Sequence, residues 1–111
     1  MPPSTQLSRA DEILMIVIFV LGIDAFSTTI RQEAMRRSKK KISVGSLWVS
    51  LDQLAKRDYI RKRTSDAEEK SGGRPRVYYS VTPKGIQALK RTRRFQERLW
   101  KSVPDLDTYE A

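Results

Sequence analysis

The stretch "SGGRPRVYYSVTPKG", Ser71 to Gly85, restricts the fold more than any other part of the chain. Val77, Tyr78, Tyr79 and Val81 are β-branched or aromatic residues, which suit a half-buried strand. Pro75 stands near the start of that strand, where a missing N–H does little harm. Thr82 is a good helix cap, and Pro83 suits the first helical position because its fixed φ matches a helix. One element must therefore end where the next begins. Upstream, "YIRKRT", Tyr59 to Thr64, reads as a partner strand, and "SDAEEKSGG" reads as a polar loop joining the two. The result is a β-hairpin whose tip carries Gly72 and Gly73 beside Arg74 and Arg76.

The rest of the pattern is helical. Ser8 can cap a first helix that runs to about Leu21 and stops near Gly22, with Met1 to Leu7 as a loose arm before it. From Ile13 to Leu21 this helix is apolar on every side, where a surface helix would show one stripe. A domain this small can hardly surround it, so a second subunit is expected to cover part of it. Asp24 can cap a second helix, about Ala25 to Arg37, with Phe26, Ile30 and Ala34 inward. After the basic turn "SKKKISVGS", Ser43 starts a third helix with Leu47, Leu51 and Leu54 on one stripe. Its opposite side carries Ser46, Val49, Ser50 and Gln53, with Asp52 to a flank. The closing helix runs from Pro83 to about Ser102. Ile86 and Leu89 face the core, and Ala88, Thr92, Phe95 and Leu99 have the spacing of a helix–helix seam.

Charge and composition narrow the function. Twenty-two Lys and Arg against thirteen Asp and Glu leave a net +9 on 111 residues. Such a chain favours a polyanion, nucleic acid before an anionic membrane, with a plain solvated surface as the alternative. There is no Cys and no His, so disulfides, thiolate chemistry, cysteine zinc sites and histidine acid–base chemistry are all excluded. No cofactor or metal is expected. An enzyme is disfavoured too: Asp66, Glu68 and Glu69 crowd one loop as solvated charge, and "SGGRPR" lacks the Gly-Lys-Ser/Thr ending of a phosphate loop. The apolar run "ILMIVIFVLGI" falls short of the roughly 20 residues a membrane span needs and is flanked by acids, so neither an anchor nor a targeting segment is expected.

Three helices, a two-stranded hairpin and a closing helix make a winged helix-turn-helix, mainly α with a small β-hairpin (α+β). The expected organisation is an arm over 1–7, the DNA-binding domain over 8–82, a dimerisation helix over 83–103 and an acidic tail over 104–111.

Two segments carry a more specific likeness. "ISVGSLWVSLDQLAKRDYI", followed by "SGGRPRVYYSVTPKGIQALKRTRRFQERLW", resembles the PadR family of bacterial transcriptional regulators. Its members open the recognition helix with Gly-Ser/Ala-Leu/Val-Tyr. They continue with Leu-x-x-Leu, a Gly-Gly-Arg wing and a Tyr-Tyr-x-Leu/Val-Thr-Pro-x-Gly junction. The likeness spans about Ile13 to Trp100. Here Trp48 stands where the family usually has Tyr, Phe26 replaces a common Tyr, and Asp58 replaces a usual Gly. If that last position needs a positive φ, Asp is the poorer occupant.

The resemblance implies a cytoplasmic homodimer, usually a repressor, on a roughly palindromic duplex, with no membrane partner. It implies a dimer built by the first and last helices, which the residue pattern assigns to Ile13, Ile16, Val17, Val20, Phe95, Leu99, Trp100 and Val103. In the recognition helix, Ser43, Ser46, Ser50 and Gln53 are candidates for base edges, Val49 for a thymine methyl and Trp48 for the backbone. Lys39, Lys40 and Lys41 before that helix, and Arg63, Lys70, Arg74 and Arg76 at the wing, are candidates for phosphates. Gly72 and Gly73 would let the wing tip approach closely. The family also implies a response to small aromatic molecules, for which Phe95 and Trp100 are candidate lining residues; plain interface packing is the other reading. A different use of the same fold is a protein-interaction module whose basic surface meets an acidic partner.

Overall fold

The structure is a computed structural model that describes residues 7–65 and 76–110. Helices α1 (Arg9–Leu21), α2 (Ser27–Ser38) and α3 (Val44–Lys56) are followed by strands β1 (Ile60–Thr64) and β2 (Val77–Val81), then by α4 (Pro83–Trp100). The expected arm over 1–6 and the hairpin tip over 66–75 lie outside the described residues.

Caps fix the element boundaries. The Ser8 hydroxyl accepts from the Asp11 N–H, Ser43 from Ser46, and Thr82 from Gly85, so each helix start satisfies one of its free N–H groups. Pro83 occupies the first turn of α4 as expected. α1 ends at Gly22, whose φ of 60° is open to glycine at little cost.

The start of α2 departs from expectation. Asp24 lies in a short 3-10 turn, Gly22–Asp24, and does not cap the helix. The Ala25 carbonyl accepts from the Tyr79 N–H at 2.8 Å, and Phe26 forms a β-bridge with Tyr78. These two residues are drawn against the edge of the hairpin, so helical geometry begins only at Ser27.

β1 and β2 pair antiparallel, with Ile60 opposite Val81 and Thr64 opposite Val77. The ladder extends one residue beyond the strands. The Ser65 N–H donates to the Arg76 carbonyl at 2.8 Å, and the Ser65 hydroxyl accepts from the Arg76 N–H at 2.9 Å. Ser65, read from sequence as exposed loop, is buried.

The core forms where α1, α2 and α3 meet β2 and α4. It holds Met15, Val17 and Ile18, then Ile30 and Ala34, then Leu47, Leu51 and Leu54, with Ile60, Tyr79 and Ala88 closing it. Each fully buried aliphatic side chain of this kind contributes about 1.5–3 kcal/mol relative to exposure. Leu7 is buried as well, and its N–H donates to the Thr92 hydroxyl at 3.4 Å. It therefore belongs to the domain and not to a loose arm.

Gly85 sits where α4 crosses the end of β1. A Cβ there would collide with the Tyr59 carbonyl oxygen and come within 2.8 Å of Val81 Cγ1, so only glycine permits this packing. Among the described residues, no helix is long and apolar enough to cross a membrane.

Candidate nucleic-acid interface

Burying Leu47, Leu51 and Leu54 turns the remaining faces of α3 outward. Ser46, Val49 and Gln53 are exposed, and Ser50 is half-buried on the side facing α1. Ser43 is exposed too, but its hydroxyl is engaged in capping the helix. Trp48 is 46% exposed and lies beside Ser27, Thr28 and Arg31 of α2, so it is a surface residue and not a core one.

Two residues that sequence reasoning passed over belong to this face. Val44 is 54% exposed. Gly45 is exposed, and a Cβ there would touch nothing within 4 Å. Gly45 is the second residue of α3, and no packing inside the protomer requires glycine there. Its position one turn before Val49 bares the backbone on the outer side of α3, as close approach of a ligand would need. Asp52 lies on a flank as expected, the one toward β1. Lys56 Nζ at 3.1 Å and Lys62 Nζ at 3.8 Å offset its charge.

Cations flank this helix. Lys39 ends α2 in the left-handed region with φ 61°, which bends the chain sharply and leaves Lys39, Lys40 and Lys41 exposed in the turn before α3. The turn is held by Arg31, whose Nε donates to the Ile42 carbonyl at 2.6 Å. On the other side, Arg63 stacks over the Tyr78 ring at 4.8 Å and Arg76 over the Phe26 ring at 4.4 Å. Phe26 and Tyr78 meet edge to face at 5.5 Å. Two aromatic rings thus hold two exposed guanidinium groups at the base of the wing. Lys70, Gly72, Gly73 and Arg74 lie outside the described residues.

Some of the positive charge is already engaged. Hydrogen bonds from Arg36, and then from Arg37, hold the Glu33 carboxyl at about 2, far below its ordinary 4.5, and the same pairing raises Arg36. The buried Tyr79 hydroxyl has no hydrogen-bond partner among the described residues. Burial first, and the Asp52 charge second, push its pKa upward.

The expected dimer residues divide into three sets, buried, half-buried and exposed. Val17 is fully buried in the core of its own protomer and cannot face a partner. Ile13 and Phe95 are half-buried. Ile16, Val20, Leu99, Trp100 and Val103 are exposed. Phe19 and Ile23, omitted from the sequence list, are 62% and 83% exposed. Phe19 joins Ile16 and Val20 on one stripe of α1 (i, i+3, i+4), which a helical wheel could have found, and Ile23 follows in the 3-10 turn beyond Gly22. Ala88 and Thr92, the first half of the expected α4 seam, are buried within the protomer.

The model of the transcriptional regulator PadR-like family matches residues 20–91. Several solved structures share the fold at low identity. A PadR-like transcription factor from Bacteroides fragilis is 22% identical with a TM-score of 0.71, covering 84% of each chain. A PadR family transcription regulator from Clostridium difficile is 19% identical with a TM-score of 0.67, covering 91% of this chain and 97% of its own. A PadR-like transcriptional regulator from Bacillus cereus is 20% identical with a TM-score of 0.66, covering 91% and 92%. No curated protein sequence matches the chain.

Proposed function

Because the chain belongs to the PadR-like family of transcriptional regulators, we propose that it works in the cytoplasm as a homodimeric repressor on a palindromic operator. α3 reads base edges in the major groove through Ser46, Val49, Ser50 and Gln53, with Gly45 admitting the duplex close to the backbone. Lys39, Lys40, Lys41, Arg63 and Arg76 take the phosphates on either side and set the register, and Lys70 and Arg74 join them from the wing tip beyond Gly72 and Gly73. The helix α4 and the exposed stripe of α1 form the dimer, which sets the two recognition helices about one helical turn, roughly 34 Å, apart. Phe95 and Trp100 at that seam offer a place for a small aromatic effector.

One observation carries this reading. The exposed side of α3 bears small, amide and apolar groups at its centre and is bordered by cations held on aromatic rings and in a fixed turn. A surface serving only solubility would not need glycine at position 45.

Selection of bound duplexes from a random pool tests the proposal. The expected result is a two-fold symmetric consensus, bound 10³-fold or more tighter than random duplex at the order of magnitude typical for specific sites. Equal affinity for every duplex would refute sequence-specific reading, and no duplex binding at all would favour an acidic protein partner.

A further inference from the structure

The exposed face of the hairpin and the C-terminal end of α1 enclose a groove of about 560 Å³. Phe19 and Ile23 form its apolar wall, and Arg61, Arg63, Tyr78 and Ser80 form the wall opposite. It is cationic on one side and greasy on the other. The C-terminal tail has the complementary character. After α4, Asp105, Asp107 and Glu110 alternate with Leu106 and Tyr109. A short 3-10 turn, Leu106–Thr108, is fixed by Asp105, whose carboxylate accepts from the Asp107 N–H at 3.0 Å and whose carbonyl accepts from the Thr108 hydroxyl at 2.7 Å. Leu106 and Tyr109, 55% and 65% exposed, stand at the two ends of this turn, with the Tyr109 N–H donating to the Leu106 carbonyl at 3.0 Å.

The tail does not fill the groove of its own chain, whose lining comes from α1, the turn after it and the hairpin. Gln96, near the end of α4, donates from Nε2 to Glu12 Oε1 at 3.1 Å in the first turn of α1, whereas the groove is lined by Ile18, Phe19, Gly22 and Ile23 at the other end of that helix. Every residue from Glu97 to Glu110 is exposed in the protomer. Groove and tail both carry exposed apolar groups: Phe19 and Ile23 in the groove wall, and Leu99, Trp100 and Val103 leading on to Leu106 in the tail.

We propose that the acidic tail of one copy docks in the α1–hairpin groove of the other, with Leu106 and Tyr109 against Phe19 and Ile23 and the carboxylates of Asp105, Asp107 and Glu110 facing Arg61, while Arg63 stays with the phosphates. This deepens the homodimer reading and rests on it. The occupant is a second copy of this chain, and the contact places the acids of one subunit beside the wing cations of the other.

The chain has no cysteine, so introduced ones report without background. Two differently tagged copies, one Ser80→Cys and the other Thr108→Cys, are co-expressed and treated with a short bis-maleimide. The expected result is a cross-link between the two tags. Its yield falls about three-fold or more when Asp105→Asn, Asp107→Asn and Glu110→Gln are added, because exposed ion pairs are lost. Light scattering on the same samples separates the two claims. A dimer without the mixed cross-link overturns tail docking and leaves the homodimer intact. A monomer overturns both. A cross-link confined to single chains carrying both cysteines, at high dilution, also overturns docking.

Discussion

Asp58 has φ 61°, a left-handed conformation that a residue with a Cβ adopts at a cost of about 1–2 kcal/mol. Its carbonyl accepts from the Thr82 hydroxyl at 2.6 Å, so the backbone is held there by the start of α4. Asp58→Gly should raise stability by about 0.5–1 kcal/mol, after allowance for the greater freedom of glycine in the unfolded chain; urea unfolding measures it. Gly85 is the opposite case. Gly85→Ala drives a methyl into the Tyr59 carbonyl, a backbone atom that cannot swing aside, and should cost roughly 3 kcal/mol in the same experiment. The demand at Asp58 was legible in sequence because a glycine was expected there. The collision at Gly85 was not, since it arises from a crossing between elements distant in the chain.

Among the elements, α3 was the most legible. Three leucines at i, i+4 and i+7 define an inner stripe, and everything else about the helix follows from it. The beginning of α2 was not legible, because Phe26 is recruited by Tyr78, more than fifty residues later. α3 and the hairpin should separate under mutation. Gln53→Ala should shift sequence preference by about 1–3 kcal/mol at one base pair. Arg76→Ala should weaken all duplexes alike and lower the slope of log affinity against log salt by about 1. Binding titrations over a salt series distinguish them, and an unchanged slope would remove Arg76 from the phosphate contacts. Within α2, Glu33 stabilises the helix as a carboxylate bonded to Arg36 and Arg37. Its folded pKa lies below its unfolded one, so the contribution is complete above pH 4.5 and fades as pH falls toward about 2. Glu33→Gln should therefore be less stable than the parent at pH 7, and the gap should close near pH 2.

At the scale of the whole molecule, the excess of apolar surface on α1 was visible in the sequence, but not how it would be divided. Val17 turned inward because α1 is packed by α2 and α4 on one side, leaving Ile16, Phe19, Val20 and Ile23 outside. Val20 is 54% exposed, so Val20→Asp should leave the protomer folded and convert a dimer to a monomer in light scattering. The hairpin tip, by contrast, left only composition to read.

The bridge between Phe26 and Tyr78, with the Ala25 carbonyl on Tyr79, makes the hairpin share an edge with the joint between α1 and α2. The base of the wing and the start of α2 are thus tied by backbone contacts. On the proposed function, with the wing on the duplex and α1 at the dimer seam, a poorly shaped site should therefore weaken subunit association as well as contact with the bases.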